Sequence, residues 1–521
     1  MTNPSTLYRG GVLHCPADPS ATALLVSDGR IAWLGTDRDA PAADRVVDLG
    51  GALVTPAFVD AHVHATDTGL ALSGLELSGV RSAAQLLDAV AAFAAGLPGD
   101  AVVLGHGWDE STWSDPAVPD AAALDRAAGG RRVYLSQASI HSALVSTALL
   151  AQCPQAATEA GFDASGWLRR DAHHVVRAAA QGSVSRAQRV AAQRVALAHA
   201  ASLGIAAVHE CGGPDISDEQ DFTGLLGISG GGLPEVYGYW GELGGAARAR
   251  ELGAVGAGGD LFADGALGSR TAHVSQPYGD GDGCGHGYLS AQQVREHLLD
   301  CAAHGMQGGF HAIGDAAIGT VLEGFAGAAR TLGVERLRAG RHRIEHAEIM
   351  NKRLIAGFVE YGIVASMQPA FDRLWGGAGQ MYESRLGLDR SLESNPMGAM
   401  HGVGVALAFG SDSPVTPLDP WGSVRAAAAH HNPVQRMSVR AAFAAHTRGG
   451  WRAVHQDVEG VLALGAPATF AVWSTPAGVE RGLPVLLAED PELRGPQDPT
   501  PLPVCRRLVL RGEVIYQEGS S

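Results

Sequence analysis

The middle of the chain, roughly residues 56–455, alternates short apolar runs with longer stretches in which apolar and polar residues mix. The short runs predict buried strands, and the longer stretches have the length and periodicity of helices. Strand-then-helix repetition predicts a parallel sheet with outer helices, an α/β fold. We therefore expect a distorted (β/α)8 TIM barrel. The predicted strands are 53–59, 204–209, 260–262, 308–311, 343–346, 363–368 and 405–409, and the predicted helices are 183–202, 291–304, 315–332 and 438–446.

Both ends of the chain have a different pattern. Residues 1–55 contain short apolar runs separated by Asp-Gly and Gly-Gly turn signals, and residues 456–521 repeat this style. Such spacing is typical of β-structure. The two ends therefore predict one small β-sandwich, a composite domain that flanks a barrel of residues 56–455. An insert at about 66–180 is expected near the barrel mouth, with the second strand at 101–105 and 204–209 as the third.

Five polar residues come directly after the apolar runs or at their ends: His62 and His64, His311, His346 and Asp412. Barrels of this kind place their chemistry at the carboxyl ends of the strands. Alternation along a strand sends both imidazoles of a His-x-His pair to one face. A lone histidine is usually a hydrogen-bonded core residue, but four with a carboxylate at successive strand ends predict a divalent metal site, with zinc as the expected ion.

Composition narrows the classes of partner. The chain has 521 residues, of which 46% are hydrophobic and 18% charged, and its formal net charge is −16. Nucleic acids and anionic membranes attract basic surfaces, so we expect neither as a partner. The six cysteines are scattered without a Cys-x-x-Cys pair and the N-terminus lacks a signal-peptide pattern, which favours a cytoplasmic protein. We expect a small-molecule substrate, with a homodimer as a possible assembly.

Motifs along the whole chain resemble the amidohydrolase superfamily. The matching segments are TPAFVDAHVH, GHGWDESTW, LFADGALGSRTA, FHAIGDAA, RHRIEHAE, SMQP, GSDSPV and LALGAPATFAVW. They are most similar to amidohydrolase family 3, which includes proteins like the exoenzyme regulatory proteins and the N-substituted formamide deformylases. The resemblance implies that His62 and His64 bind the more buried metal. It implies that His311 and His346 bind a second metal or contact substrate, and that Asp412 touches the metal and shuttles a proton.

Asp260 departs from the pattern of the family. In similar sequences the fourth strand begins with a lysine that is carboxylated and bridges two metals, whereas this chain has GGDLFADG. The only lysine, Lys352, follows the sixth strand and cannot replace it. Aspartate is several ångströms shorter than a carboxylated lysine, so a bridge at the same depth would need a backbone shift.

Three arrangements of the metal site follow from this departure. We favour a single ion held by His62, His64 and Asp412, with His311 as the fourth ligand. Two ions bridged by Asp260 are the alternative. Asp260 could also orient a ligand histidine without touching metal. Asp264 either supports the metal ligands without touching metal or is a turn residue before Gly265, and we favour the turn.

Five residues are candidates for substrate binding: Trp108, Asp109, His141, Arg270 and Gln368. Arginine suits a substrate carboxylate or oxyanion, although a structural salt bridge is an equal alternative for Arg270. Large aromatic side chains dominate protein cores, so packing within the insert is the alternative for Trp108.

The expected function is hydrolysis of a non-peptide C–N bond, such as an amide, formamide, N-acyl amine or cyclic imide. In this hypothesis the metal activates water, His346 polarises the scissile carbonyl and Asp412 delivers the proton to the leaving nitrogen. An esterase or lactonase with the same site is one alternative. A barrel that has lost turnover and acts as a binding or regulatory protein is the other.

Overall fold

The computed structural model describes residues 4–138, 142–490, 493–495 and 498–519. The chain divides into two compact units, one formed by residues 1–65 and 197–521 and the other by residues 66–196. In the part described, no helix is both long enough and apolar enough to span a membrane.

The first unit contains eight parallel strands in one sheet, paired in chain order. Val63 at the end of the first strand and Ser413 after the last form a parallel bridge that brings the sheet close to closure. The predicted barrel is therefore confirmed. The strands are β1 (Phe58–Val63), β2 (Ile205–Gly212), β3 (Glu235–Trp240), β4 (Gly256–Ala257), β5 (Gln307–Ala312), β6 (Arg343–His346), β7 (Val364–Met367) and β8 (Ala406–Phe409).

Helices follow the barrel strands, and their ends show why they form where they do. The helix Ala291–His304 begins with a capping box between Ser290 and Gln293 and ends at Gly305, which has a φ of 65°. The helices of this unit are Glu219–Gly227, Ala246–Glu251, Ala291–His304, Asp315–Leu332, Val334–Gly340, Lys352–Tyr361, Pro369–Trp375, Met381–Leu386, Leu388–Glu393, Met397–Gly402, Pro420–Ala428, Val439–Ala444 and Gly450–Ala453, with a π-helix at Ala445–Gly449.

Two further sheets of the same unit use the ends of the chain. A four-stranded sheet contains Arg30–Gly35, Ala23–Ser27, Thr6–Arg9 and Arg45–Asp48, in that order. A five-stranded sheet joins both termini and runs Val12–Leu13, Leu53–Pro56, Phe470–Ser474, Val504–Leu510 and Glu513–Gln517. A buried apolar cluster that includes Tyr8, Ile31 and Phe470 lies among these strands. A short hairpin pairs Val479–Glu480 with Leu483–Pro484.

The second unit is built around its own five-stranded sheet, with the order Trp167–Arg169, Ser142–Val145, Val133–Gln137, Val103–Trp108 and Leu75–Glu76. Its helices are Ala83–Ala95, Ala121–Ala127, Thr147–Leu150 and Arg170–Gly182, while Ala65–Ser73 and Arg186–Ser202 cross the boundaries between the units.

Two strand predictions are wrong in detail. Residues 101–105 do not supply the second barrel strand, because Val103–Trp108 pairs within the second unit, and β2 is the segment predicted as the third strand. The true third strand, Glu235–Trp240, is missing from the prediction because Gly238 interrupts its apolar run. The predicted strand 260–262 contains only an isolated parallel bridge from Phe262 to His311. The strand itself lies earlier, at Gly256–Ala257, and two glycines with positive φ end it before Asp260.

Candidate metal centre

Four imidazoles meet at the carboxyl ends of β1, β5 and β6. Ring centroids are 5.4 Å apart for His62 and His64, 4.9 Å for His62 and His346, and 4.5 Å for His311 and His346. All four rings belong to the first unit, and none has more than a small part of its side chain exposed. Distant segments therefore converge on one buried point.

Asp260 and Asp412 lie among these rings. Oδ2 of Asp260 is 3.6 Å from Nε2 of His62 and 3.2 Å from Nε2 of His64. Oδ1 of Asp412 is 3.5 Å and 3.2 Å from the same two nitrogens. These six residues, His62, His64, Asp260, His311, His346 and Asp412, are called the carboxyl-end cluster below.

Hydrogen bonds fix the tautomer of three of the rings. Each ring donates one N–H to a buried oxygen: His62 Nδ1 to Glu345 Oε2 at 2.9 Å, His346 Nδ1 to Gln368 Oε1 at 2.9 Å, and His311 Nε2 to the carbonyl of Gly265 at 3.2 Å. The other nitrogen of each neutral ring then carries a lone pair. In all three cases that nitrogen faces Asp260.

His346 contacts both Gln368 and Asp260. Its Nδ1 is 2.9 Å from Oε1 of Gln368, and its Nε2 is 3.8 Å from Oδ1 of Asp260. The amide predicted to bind substrate therefore contacts a ring of the cluster, and the catalytic role expected for His346 stays a prediction. The geometry makes His346 a candidate metal ligand.

The cluster contains buried polar atoms that protein groups do not satisfy. Among the described residues, Nε2 of His62, Nδ1 of His64, Nδ1 of His311 and Oδ1 of Asp260 have no hydrogen-bond partner. Buried polar atoms are normally paired, and a convergent set that is not paired fits a bound cation. The cluster contains two sets of three residues whose ligand atoms all lie within 4.8 Å of one another. One set is His62, Asp260 and His346, and the other is His62, His64 and Asp412. Imidazole and carboxylate donors suit zinc and similar divalent ions.

The electrostatics agree with this fit. Burial opposes charge on His62 and His64, but neighbouring groups outweigh it and raise the pKa of both rings well above the ordinary value. These groups are Cys211, Asp260 and Asp412 for His62, and Asp260 and Asp412 for His64. Burial would likewise raise the pKa of Asp260, yet the surrounding imidazoles lower it well below the ordinary value. The carboxylates thus favour positive charge at this point, and protons and a divalent cation compete for the same lone pairs.

A buried network of charged and polar residues contacts His62 through Glu345, and it was not predicted from the sequence. Arg343 donates to both oxygens of Glu345, at 2.5 and 2.8 Å, and to Nδ1 of His209 at 3.0 Å. The same guanidinium lies 4.3 Å from the ring centroid of Tyr239. We call Arg343, Glu345, His209 and Tyr239 the Arg343 network. Alternation in RHRIEH, which points Arg343 and Glu345 to one face of β6, was the available signal.

The backbone is strained at two members of the cluster. His346 has a φ of 69° and Asp412 a φ of 56°, both in the left-handed region that residues with side chains rarely occupy. Such strain concentrates at functional sites. Asp60 holds the region around Asp412, since its Oδ1 accepts the backbone N–H of Ser411 at 2.9 Å and of His62 at 3.2 Å.

The structure corrects two other predictions in the first unit. Asp264 is buried, and its carboxylate accepts backbone N–H groups from His273, Ile313 and Gly314, so it anchors the loop after β5 and is more than a turn residue. Arg270 forms a bidentate ion pair with Asp280, at 2.9 Å for both contacts. The salt-bridge alternative therefore describes Arg270, and its guanidinium is not free for substrate.

Two of the remaining substrate candidates, Trp108 and Asp109, belong to the second unit. Trp108 is completely buried, and its indole N–H donates to the carbonyl of Leu135 at 2.8 Å. It offers no surface to a substrate, which corrects that prediction in favour of packing. Asp109 caps a short 3-10 helix by accepting the N–H of Ser111. His141 lies outside the described residues, so its role stays a prediction.

Comparison with known proteins decides the family. The model of the amidohydrolase family matches residues 45–516. The chain belongs to the amidohydrolase family. The resemblance stated from the motifs is thereby confirmed, and the carboxyl-end cluster is a candidate metal centre in an amidohydrolase-family barrel.

Individual relatives are similar in sequence to most of this chain, at low identity. YtcJ of Bacillus subtilis (strain 168) is 24% identical over 563 residues, which covers 98% of this chain and 99% of the relative. The exoenzymes regulatory protein AepA of Pectobacterium carotovorum is 24% identical over 362 residues, covering 62% of this chain and 76% of AepA. Among solved structures, an uncharacterized metal-dependent hydrolase from Pyrococcus furiosus has a TM-score of 0.74 at 24% identity, covering 90% and 98% of the two chains. That structure supports the fold.

Proposed function

We propose that this protein is a metal-dependent hydrolase of a non-peptide C–N bond in a small molecule, such as an amide, formamide, N-acyl amine or cyclic imide. One observation carries the proposal: four imidazoles and two carboxylates surround a single buried point, and several of their polar atoms lack protein partners within the described residues. A pure scaffold would not need these unpaired groups, because they cost stability.

His62, His64 and Asp412 are the residues we expect to hold the ion, with Asp260 beside them. A divalent ion bound there supplies Lewis acidity and lowers the pKa of water. Glu345 keeps the lone pair of His62 on Nε2, and Gln368 does the same for His346. This leaves the rings aimed into the cluster without a rearrangement before substrate binds.

Asp412 is the residue we expect to move the proton. Its Oδ1 lies 3.5 and 3.2 Å from Nε2 of His62 and His64, beside the position proposed for the ion. An ionised carboxylate accepts a proton from water and can return it to the leaving nitrogen. The strained backbone at Asp412 fixes the direction of this side chain.

A substrate panel tests the proposal. Protein stripped with a chelator and reloaded with Zn²⁺ or Mn²⁺ is assayed on N-formyl and N-acyl amines and cyclic imides. Each is paired with the matching ester or lactone, and dipeptides are included as well. We expect hydrolysis of at least one non-peptide C–N substrate, lost on chelation and absent from Asp412→Asn. Preference for the oxygen analogues would favour an esterase or lactonase, and turnover of dipeptides alone would contradict the choice of bond.

A regulatory role is the second candidate, and the name of the relative AepA is the observation that favours it. Such a protein would need neither turnover nor the ion. Metal analysis separates the two: less than about half an equivalent of ion after purification without chelator, with no gain on adding zinc or manganese, would favour the regulatory role.

A further inference from the structure

A cavity opens at the amino-terminal ends of β7 and β8, the end of the barrel opposite to the carboxyl-end cluster. Its volume is about 540 Å³, which is within the usual range of small-molecule sites. Val364 and Ala406, which begin the two strands, line it, whereas Gln368 and Asp412 follow the same strands at their other ends. The cavity is therefore separate from the candidate metal centre.

The lining of this cavity is strongly basic. It includes four arginines, Arg338, Arg341, Arg448 and Arg452, together with His401, and no aspartate or glutamate belongs to the described lining. The whole chain, in contrast, has a formal net charge of −16. Four guanidinium groups around one cavity favour an anion as its occupant.

One carboxylate neutralises only part of this positive charge. Asp457 forms a bidentate ion pair with Arg341, at 2.9 and 2.7 Å, and its Oδ1 lies 3.6 Å from Nε of Arg452. Within the part of the chain that the structure describes, neither Arg338 nor Arg448 forms an ion pair or a side-chain hydrogen bond. Both side chains are exposed. Two guanidinium groups of the cavity are therefore available to a ligand.

Part of the cavity wall is apolar, because small residues leave space beside β8. Leu407 of that strand and Ala444 line this part, and Ala444 is followed by the π-helix Ala445–Gly449. A π-helix is a rare conformation that is frequent at functional sites. The described lining contains no Phe, Tyr or Trp, so the wall suits a short aliphatic group better than a flat ring.

We propose that this cavity binds a small organic phosphate that carries a short aliphatic group. The guanidinium fork matches phosphate oxygens in pairs, and a phosphate monoester carries more negative charge than a carboxylate. Arg338 and Arg448 bind the phosphate, and the wall at Leu407 and Ala444 contacts the aliphatic group. The inference goes beyond the proposed function and does not depend on it.

Isothermal titration calorimetry of the full chain with hexyl phosphate tests this site. We expect saturable binding that weakens roughly tenfold or more in Arg338→Gln and in Arg448→Gln, because each change removes a charged hydrogen-bond donor. Arg353→Gln is the matched control, since Arg353 is also exposed but lies in the helix that follows the carboxyl end of β6. It should bind as tightly as the unsubstituted protein. No saturable binding, or equal affinity in Arg448→Gln, would overturn the proposal.

Treatment with a chelator separates this site from the metal centre. The affinity for hexyl phosphate should not change, because the cavity lies at the other end of the barrel. Binding that disappears on chelation would place the phosphate on a metal and overturn the proposal. Hydrolysis of no panel compound, with binding of hexyl phosphate intact, would defeat the proposed function and leave this site standing.

The chemical class of the ligand is tested by related probes. Heptanoate, an aliphatic carboxylate, should bind more weakly than hexyl phosphate. Ala444→Leu fills part of the apolar wall and keeps every arginine, so it should weaken hexyl phosphate and leave inorganic phosphate unchanged. Equal affinity for heptanoate, no effect of Ala444→Leu, or binding to vesicles of phosphatidic acid without binding of hexyl phosphate would each overturn the assignment of a small organic phosphate.

Chemical protection gives a measurement that needs no variant. Phenylglyoxal modifies exposed arginines, and mass spectrometry identifies the modified positions. Hexyl phosphate should slow the modification of Arg338 and Arg448 and leave that of Arg353 unchanged. Equal rates at Arg338 and Arg448 with and without hexyl phosphate would contradict its binding in this cavity.

Discussion

The carboxyl-end cluster and the Arg343 network are both buried, polar and built on strands of the same barrel, yet they differ in how many of their atoms are paired. In the Arg343 network, both oxygens of Glu345 accept from Arg343, whose guanidinium also contacts His209 and Ser366. Among the described residues, Nε2 of His209 is the one buried side-chain atom of this network without a hydrogen-bond partner, whereas the cluster has three such ring nitrogens and an oxygen of Asp260. A largely paired network stabilises the fold, whereas a convergent set of unpaired groups fits a bound cation.

The largest effect should come from removing the proton carrier of the cluster. For Asp412→Asn we expect kcat/KM to fall by roughly 10²- to 10⁴-fold, the usual contribution of a positioned general base. The free energy of unfolding of the metal-free protein should fall only slightly, because Asp260 still lies beside the imidazoles of His62 and His64. Kinetics on the best panel substrate and chemical denaturation check both parts. A large loss of stability would mean that Asp412 is a structural residue.

In the Arg343 network we expect a substitution to cause a large loss of stability. Arg343→Met removes the guanidinium that balances Glu345 and leaves this buried carboxylate with His62 as its remaining charged neighbour, which should lower the free energy of unfolding by about 3–5 kcal/mol. The double variant with Glu345→Gln should recover part of that loss, because it removes the isolated charge. Chemical denaturation of both variants is the measurement. A loss below ~1 kcal/mol for Arg343→Met would show that the network does not stabilise the barrel.

Low pH should lower the free energy of unfolding through buried histidines that lie outside the cluster. His342, just before β6, accepts the N–H of Gly308 at 2.8 Å, and burial lowers its pKa to about 4. Between the ordinary pKa of 6.5 and 4, the unfolded state binds a proton that the folded state refuses, so stability falls as the pH falls through this window. The loss from this residue is about 3 kcal/mol.

Comparison with a variant isolates this contribution. His342→Asn keeps an acceptor for Gly308 but has no proton to gain, so its free energy of unfolding should change less between pH 7 and pH 4. Denaturation curves at a series of pH values provide the measurement. Equal pH dependence of the variant and the natural protein would assign the acid sensitivity to other groups.

The smallest effect should appear where the two regions meet. Glu345 belongs to the Arg343 network, yet it also accepts the N–H of His62. We expect Glu345→Gln to weaken zinc binding by roughly 10- to 100-fold, the usual cost of losing an orienting carboxylate. Ser366→Ala, which removes a contact of Arg343 without touching His62, should leave the affinity unchanged. Competition with a chromophoric chelator measures both, and equal affinities for the two variants would separate Glu345 from the metal.

Much of the fold and the identity of the cluster follow from the sequence. An apolar run that ends in His62, His311 or Asp412 identifies both a strand and the end that carries chemistry. The third strand was not predicted because Gly238 interrupts its apolar run. The position of β4 was predicted incorrectly because the spacing of apolar residues does not show the effect of Gly258 and Gly259 on the backbone.

The details of the site depend on atoms that a sequence does not position. The contact of His346 with Gln368 is one example, because Gln368 is 22 residues away and follows the neighbouring strand β7. Asp260 is another, because the backbone path through Gly258 and Gly259 places its two oxygens against different histidines. Trp108 and Arg270 were chosen by residue type, and their neighbours Leu135 and Asp280 decide what they do.

The central claim is that the unpaired atoms of the carboxyl-end cluster bind divalent metal, and thermal unfolding of chelator-treated protein during a Zn²⁺ titration tests it most directly. A ligand at one hundred times its Kd stabilises the folded state by about 2.7 kcal/mol, so the Tm of the natural protein should rise with each addition until the site is full. His64→Ala should show a much smaller rise. A Tm that does not respond to Zn²⁺ or Mn²⁺, with less than about half an equivalent of ion bound, would contradict the account.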